Sequence, residues 1–112
     1  MTSNQTLGSS IKQARKAKNY SQRELAKLVD IDFTYLSKIE NNRTDYPPKE
    51  EVIKAIAREI DLDEEELIFL SGRIPQSNKE FLKQHYDKMP AFFRRLREHP
   101  EDLKKILEES DR

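Results

Sequence analysis

The apolar residues of this chain recur with a period near 3.6, the pattern of helices that each bury one face. A first helix is expected from about Ser9 to Ala17, with Ile11, Ala14 and Leu7 inward and Asn19-Tyr20 breaking it. Ser21 reads as an N-cap, and Glu24 three residues on completes a capping box. The second helix then covers Gln22–Val29, with Leu25, Ala26 and Val29 on one face. Asp30 and Ile31 make a short turn. Asp32 is the next expected cap, and Phe33–Asn41 the third helix, with Leu36 and Ile39 inward. Asn41, Asn42 and Arg43 end it, since Asn tolerates the left-handed backbone of a helix exit.

After a loop at Thr44–Tyr46, Pro47-Pro48 opens a fourth helix, about Lys49–Ile60. Its stripe is Val52, Ile53, Ile56 and Ile60. Asp63 caps a fifth, about Glu64–Ser71, with acidic residues in its first turn where the helix dipole favours them. Gly72 ends it. Residues 73–76 are the clearest domain boundary. Beyond them, Ser77 and Glu80 suggest another box for a helix over Asn78–Met89. Pro90 interrupts, Ala91–Glu98 follows, and Pro100 opens a last helix to about Glu109. The expected organisation is a disordered tail over 1–6, a domain over 7–72 and a helical extension over 77–112. The fold class is all-α.

The sharpest local pattern is Gln22–Ile39. Two short helices joined by a tight turn need a small residue where they touch, and Ala26 fits. Leu25, Val29, Ile31, Leu36 and Ile39 supply the shared core. The N-terminal half of the third helix is then left facing outward. A helix about 10–12 Å across fits a B-DNA major groove roughly 12 Å wide, with the second helix across the phosphates.

Ser-Gln-Arg-Glu-Leu-Ala at 21–26 and Tyr-Leu-Ser-Lys-Ile-Glu-Asn at 35–41 carry a resemblance. The segment from Leu7 to about Gly72 resembles the Cro/phage-repressor-like, Xre-type helix-turn-helix family. The resemblance implies a five-helix repressor-like domain that binds double-stranded DNA. It implies that Gln22 bonds phosphate and a partner side chain, and that Phe33, Thr34 and Lys38 face base edges, with Tyr35 adjacent. It implies that Asn41, Asn42, Arg43 and Thr44 grip phosphate, and that Arg15 and Glu40 form a structural ion pair. Two positions depart from the family pattern. Asp30 replaces the usual turn Gly, and Phe33 stands where many members carry a polar base reader.

Charge refines the picture. The chain has 21 basic and 21 acidic residues, for a net charge of zero. A generic polyanion binder would be basic overall. The charge is unevenly spread, however: residues 1–46 hold eight Lys/Arg against five Asp/Glu, and residues 47–72 three against eight. Lys12, Arg15, Lys16, Lys18, Arg23 and Lys27 fall on the first two helices, and Arg23 is expected on phosphate.

Other chemistries find little support. With no Cys there is neither a disulfide nor a thiolate metal site. His85 and His99 lack metal-ligand spacing. Two Gly leave no room for a phosphate-cradling loop, and no serine has a nucleophile-elbow context. No enzyme activity, cofactor or metal is expected. No apolar run approaches the roughly 18 residues of a membrane helix, and the start lacks a secretory signal, so a cytoplasmic protein with no membrane partner is expected. In the extension, Phe81, Leu82, Tyr86, Met89, Phe92, Phe93 and Leu96 form a large apolar surface. They are assigned to homodimerisation, with folding back as core the alternative. The expected function is a homodimeric transcriptional repressor. The rival is an antitoxin or adaptor module on the same fold.

Overall fold

The computed structural model describes residues 5–111. Among them lie eight helices and no strand: α1 (Leu7–Ala17), α2 (Gln22–Leu28), α3 (Phe33–Glu40), α4 (Glu50–Glu59), α5 (Glu64–Leu70), α6 (Gln76–Gln84), α7 (Met89–Glu98) and α8 (Pro100–Ser110). Residues up to Pro75 form one compact unit and residues from Gln76 another. None of the helices among the described residues is long and apolar enough to cross a membrane.

Helix α1 starts two residues earlier than its pattern suggests. Thr6 Oγ1 accepts the Ser9 N–H at 3.1 Å and Ser9 Oγ accepts the Thr6 N–H at 2.9 Å, so Thr6 is a cap and not part of a disordered tail. Residues 1–4 of that expected tail lie outside the described residues. Helix α2 has its box as expected. Ser21 Oγ accepts the Glu24 N–H at 3.0 Å, and Glu24 Oε1 accepts the Ser21 N–H at 2.8 Å. Those bonds hold the Glu24 carboxyl below the usual carboxylate range, the Ser21 backbone donor being the main cause. Asp32 takes the cap position of α3, but its side chain makes no capping bond.

The five helices of the first unit end alike. Each runs one residue past its last helical position and then turns through a left-handed residue: Asn19 (φ 60°), Asp30 (56°), Asn42 (56°), Asp61 (59°) and Gly72 (90°). The next amide reaches back to close the turn, as in Tyr20 to Arg15 at 3.2 Å, Ile31 to Ala26 at 3.0 Å and Arg43 to Lys38 at 2.9 Å. This is the Schellman closure, and Asn and Asp are the non-glycine residues that tolerate it best. Asn42, not Asn41, carries the left-handed turn after α3. Tyr20, Ile31 and Leu62, each directly after such a turn, pack back on the core.

That core joins all five helices: Ile11 from α1, Leu25 and Ala26 from α2, Leu36 and Ile39 from α3, Ile53 and Ile56 from α4, Leu67 and Ile68 from α5. Gly8 allows α1 to lie against the end of α3. A Cβ there would run into the Glu40 carbonyl oxygen.

In the second unit the boundaries move for reasons of proline chemistry. Helix α6 begins at Gln76, directly after Pro75, so Ser77 lies inside the first turn and does not cap it. It ends at Gln84 and not Met89, because the following amides bond three residues back, His85 to Leu82 at 3.2 Å and Lys88 to His85 at 3.0 Å. Pro90 then sits within the first turn of α7, where a missing N–H costs nothing, so it opens that helix instead of interrupting the chain. Helices α7 and α8 pack on each other, with Arg95 Nη2 paired to Asp102 Oδ2 at 3.0 Å. None of the described residues of α6, α7 or α8 is buried.

Ser21→Ala should lower stability by about 1 kcal/mol, read from the urea midpoint. The Glu24 carboxyl is held low in the fold. Its contribution is therefore present above the ordinary carboxylate pKa and lost as pH falls through the folded value. The stability gap between wild type and Glu24→Gln should accordingly shrink on acidification.

Candidate nucleic-acid interface

The position of α3 is set by its last residue. The Glu40 carboxylate is buried and accepts three hydrogen bonds. Arg15 Nε donates to Oε2 at 2.8 Å, Arg15 Nη2 to Oε1 at 3.0 Å, and Gln22 Nε2 to Oε1 at 2.9 Å. Arg15 Nη1 donates in turn to the Tyr20 carbonyl at 2.8 Å. One carboxylate therefore ties α1, α2 and α3 together. A two-pronged arginine contact fixes direction as well as distance. Among the described residues no buried side-chain nitrogen or oxygen lacks a partner.

Opposite that knot, Thr34 and Lys38 are exposed on α3, with Phe33 and Tyr35 half-buried beside them. Phe33 and Tyr35 pack partly on the core. The Arg23 guanidinium lies over the Phe33 ring, 4.2 Å from its centroid. Arg43 is exposed just past the helix, and Thr44 is half-buried. Among the described residues, neither Lys38 nor Arg43 pairs with a carboxylate.

The two asparagines assigned to phosphate have other work inside the fold. Asn41 Nδ2 donates to the Ser37 carbonyl at 2.8 Å. Asn42 Oδ1 accepts the Gly8 N–H at 3.1 Å and its Nδ2 donates to Thr6 Oγ1 at 3.0 Å. Asn42 thus clips the start of α1 to the end of α3. Gln22, likewise, has one amide hydrogen committed to Glu40.

Sequence reasoning missed a cleft beside this face. It measures about 380 Å³ and is lined by Tyr35, Lys38, Arg43, Tyr46, Lys49 and Arg73 among others. Tyr46 is 81% exposed. Arg73 holds the loop in place, its Nε donating to the Pro48 carbonyl at 2.6 Å and its Nη2 to the Pro47 carbonyl at 2.8 Å. Lys38, Arg43 and Lys49 around that loop were the available signal, but Arg73 lies far from them along the chain. In the extension, Phe81, Tyr86, Phe92 and Phe93 are exposed and Leu82, Met89 and Leu96 half-buried.

Comparison with known proteins agrees with this geometry. The family model described as helix-turn-helix matches residues 11–67. The ImmF control region 10 kDa protein of Bacillus phage phi105 is 43% identical over 63 residues, which span 56% of this chain and 68% of that protein. A crystal structure of SinR, the master regulator for biofilm formation, in complex with DNA superposes with a TM-score of 0.51 at 33% identity, covering 56% of this chain and 98% of that one. The SinR/SinI protein complex gives 0.52 at 26% identity, over 89% and 99%. The clp gene regulator ClgR of Corynebacterium glutamicum, at 0.50 and 17% identity over 84% and 90%, shares the fold.

Glu40→Ala strands the buried Arg15 guanidinium, and breaking such a pair costs about 3–5 kcal/mol. Thermal or urea unfolding should register that loss. The double change Arg15→Met, Glu40→Leu should recover much of it.

Proposed function

Because the chain belongs to the helix-turn-helix family of DNA-binding transcriptional regulators, which are not enzymes, we propose that it is a homodimeric cytoplasmic repressor. In this reading α3 enters the major groove of double-stranded DNA. Phe33, Thr34 and Lys38 meet base edges, with Tyr35 beside them. Gln22, Asn41 and Asn42, each through its remaining amide hydrogen, together with Arg43 and Thr44, follow the phosphates and set the register. The observation that carries the reading is the division of α3. One side is bolted to α1 and α2 through Glu40, and the other presents Thr34 and Lys38 with no partner among the described residues.

Two subunits would each take one half-site of a pseudo-palindrome, roughly 34 Å apart along the duplex. The dimer would form through Phe81, Leu82, Tyr86, Met89, Phe92, Phe93 and Leu96. A unit of this size with no buried residue among those described lacks a core of its own, and a second copy would supply one. Bound at a promoter, such a dimer would exclude polymerase.

A second reading gives the C-terminal unit a different protein as partner. What favours it is extent. The likeness to the SinR/SinI complex covers 89% of the chain and so extends into the C-terminal unit.

Lys38→Ala should reduce discrimination between a selected site and its single-base variants. Arg43→Ala should weaken all sequences alike and reduce the slope of log affinity against log salt by about one. Titrations at several salt concentrations separate the two. Removing the residues after Pro75 should convert cooperative occupancy of two half-sites into weak independent binding, measured by gel shift and sedimentation. A heterologous partner would instead leave DNA cooperativity intact.

A further inference from the structure

Arg23 belongs by sequence to α2, the helix expected to cross the DNA backbone, and the straightforward assignment is a phosphate contact. The structure puts its charge elsewhere. The guanidinium carbon stands 4.2 Å from the centroid of the Phe33 ring, and Phe33 is the first residue of α3. The contact carries the arginine head to the start of the recognition helix. In this docking geometry the N-terminal residues of that helix meet base edges.

The chemistry of the two residues fits a shared task. Phe33 is half-buried and packs partly on the core, so its ring is a fixed platform. It cannot hydrogen-bond a base. Arg23 is exposed, and among the described residues it pairs with no carboxylate. Its neighbour Glu24 is committed to the Ser21 cap. A cation over an aromatic face is held by the ring's quadrupole, and the ring satisfies none of the five N–H donors as an oxygen would. The arginine fork is therefore positioned with its donors still to offer. Guanine presents two acceptors, O6 and N7, to the major groove, and a bidentate arginine is their commonest partner.

We propose that Arg23, seated on the Phe33 ring, reads a guanine in the major groove, with Phe33 as the residue that positions it. The proposal rests on α3 entering that groove and adds a base contact supplied from α2. It also gives the apolar residue that opens the recognition helix a role: Phe33 works through the arginine above it.

The test is selection from random DNA at one salt concentration with wild type, Arg23→Ala, Phe33→Leu and Phe33→Tyr, scored as relative preference at each position. Relative preference does not depend on the fraction of protein folded. Wild type should enrich a motif with a fixed G·C pair in each half-site. Arg23→Ala should lose preference at that pair by roughly ten- to a hundred-fold and keep the rest. Phe33→Leu fills similar space without an aromatic face and should weaken the same position, whereas Phe33→Tyr should retain it. Replacing that guanine by 7-deazaguanine should weaken wild type and leave Arg23→Ala unaffected. An equal loss on every sequence for Arg23→Ala would make it a phosphate contact and overturn the proposal. So would a Phe33→Leu profile identical to wild type. Enrichment of no motif by wild type would remove the groove reading itself, and the proposal with it.

Discussion

A carboxylate taken out of water must be matched by donors, or the fold that buries it does not form. Glu40 meets that demand with three donors from two other helices, Arg15 on α1 and Gln22 on α2. Apolar contacts between Leu25, Leu36 and Ile39 supply cohesion, but they tolerate small rotations of one helix on another. The arginine fork does not, because its donors fit the carboxylate in one plane. An apolar trio of the same volume would hold the helices at least as tightly and orient them less. The direction in which α3 shows Thr34 and Lys38 follows from that constraint.

The end of α3 is fixed a second time, by Asn42. Its left-handed backbone stops the helix, and its side chain reaches the start of α1 at Gly8 and Thr6. Gly8 makes this possible by leaving room for the Glu40 carbonyl. Arg73 does the same for the following loop through the Pro47 and Pro48 carbonyls. The surface proposed to meet DNA is thus a helix with a held loop, which suits a reader that must present its side chains without reorganising.

Much of the first unit was legible in the sequence because its rules are local. Ser21 with Glu24 announced α2, the apolar period gave the inward faces, and Asn19, Asp30, Asn41-Asn42 and Gly72 marked the stops of four of the five helices. The all-helical class follows from the same rules. The Arg15–Glu40 pair came with the family resemblance, since spacing alone does not couple two residues on different helices. The Asn42 clip spans 34 and 36 positions in the chain, and no periodicity reports it. The stack of Arg23 on Phe33 is hidden for the same reason: each residue has an ordinary role when read on its own helix. The polar run around Thr6 has the pattern of a disordered tail, and only the reciprocal Ser9 bonds make it a cap. In the C-terminal unit Pro75 and Pro90 set where α6 and α7 begin, and Pro90, by sequence an interruption, takes its place in the opening turn of α7. One chain's pattern carries no signal for what its exposed Phe81, Tyr86, Phe92 and Phe93 would meet.

The face of the protein that DNA touches decides the reading. Amide chemical shifts followed while a selected duplex is titrated into the intact protein test it directly. The largest changes should fall on residues 33–38 and on the loop at 43–46, with smaller ones at the start of α2. Changes confined to α4, α5 or the C-terminal unit, with residues 33–38 silent, would contradict it.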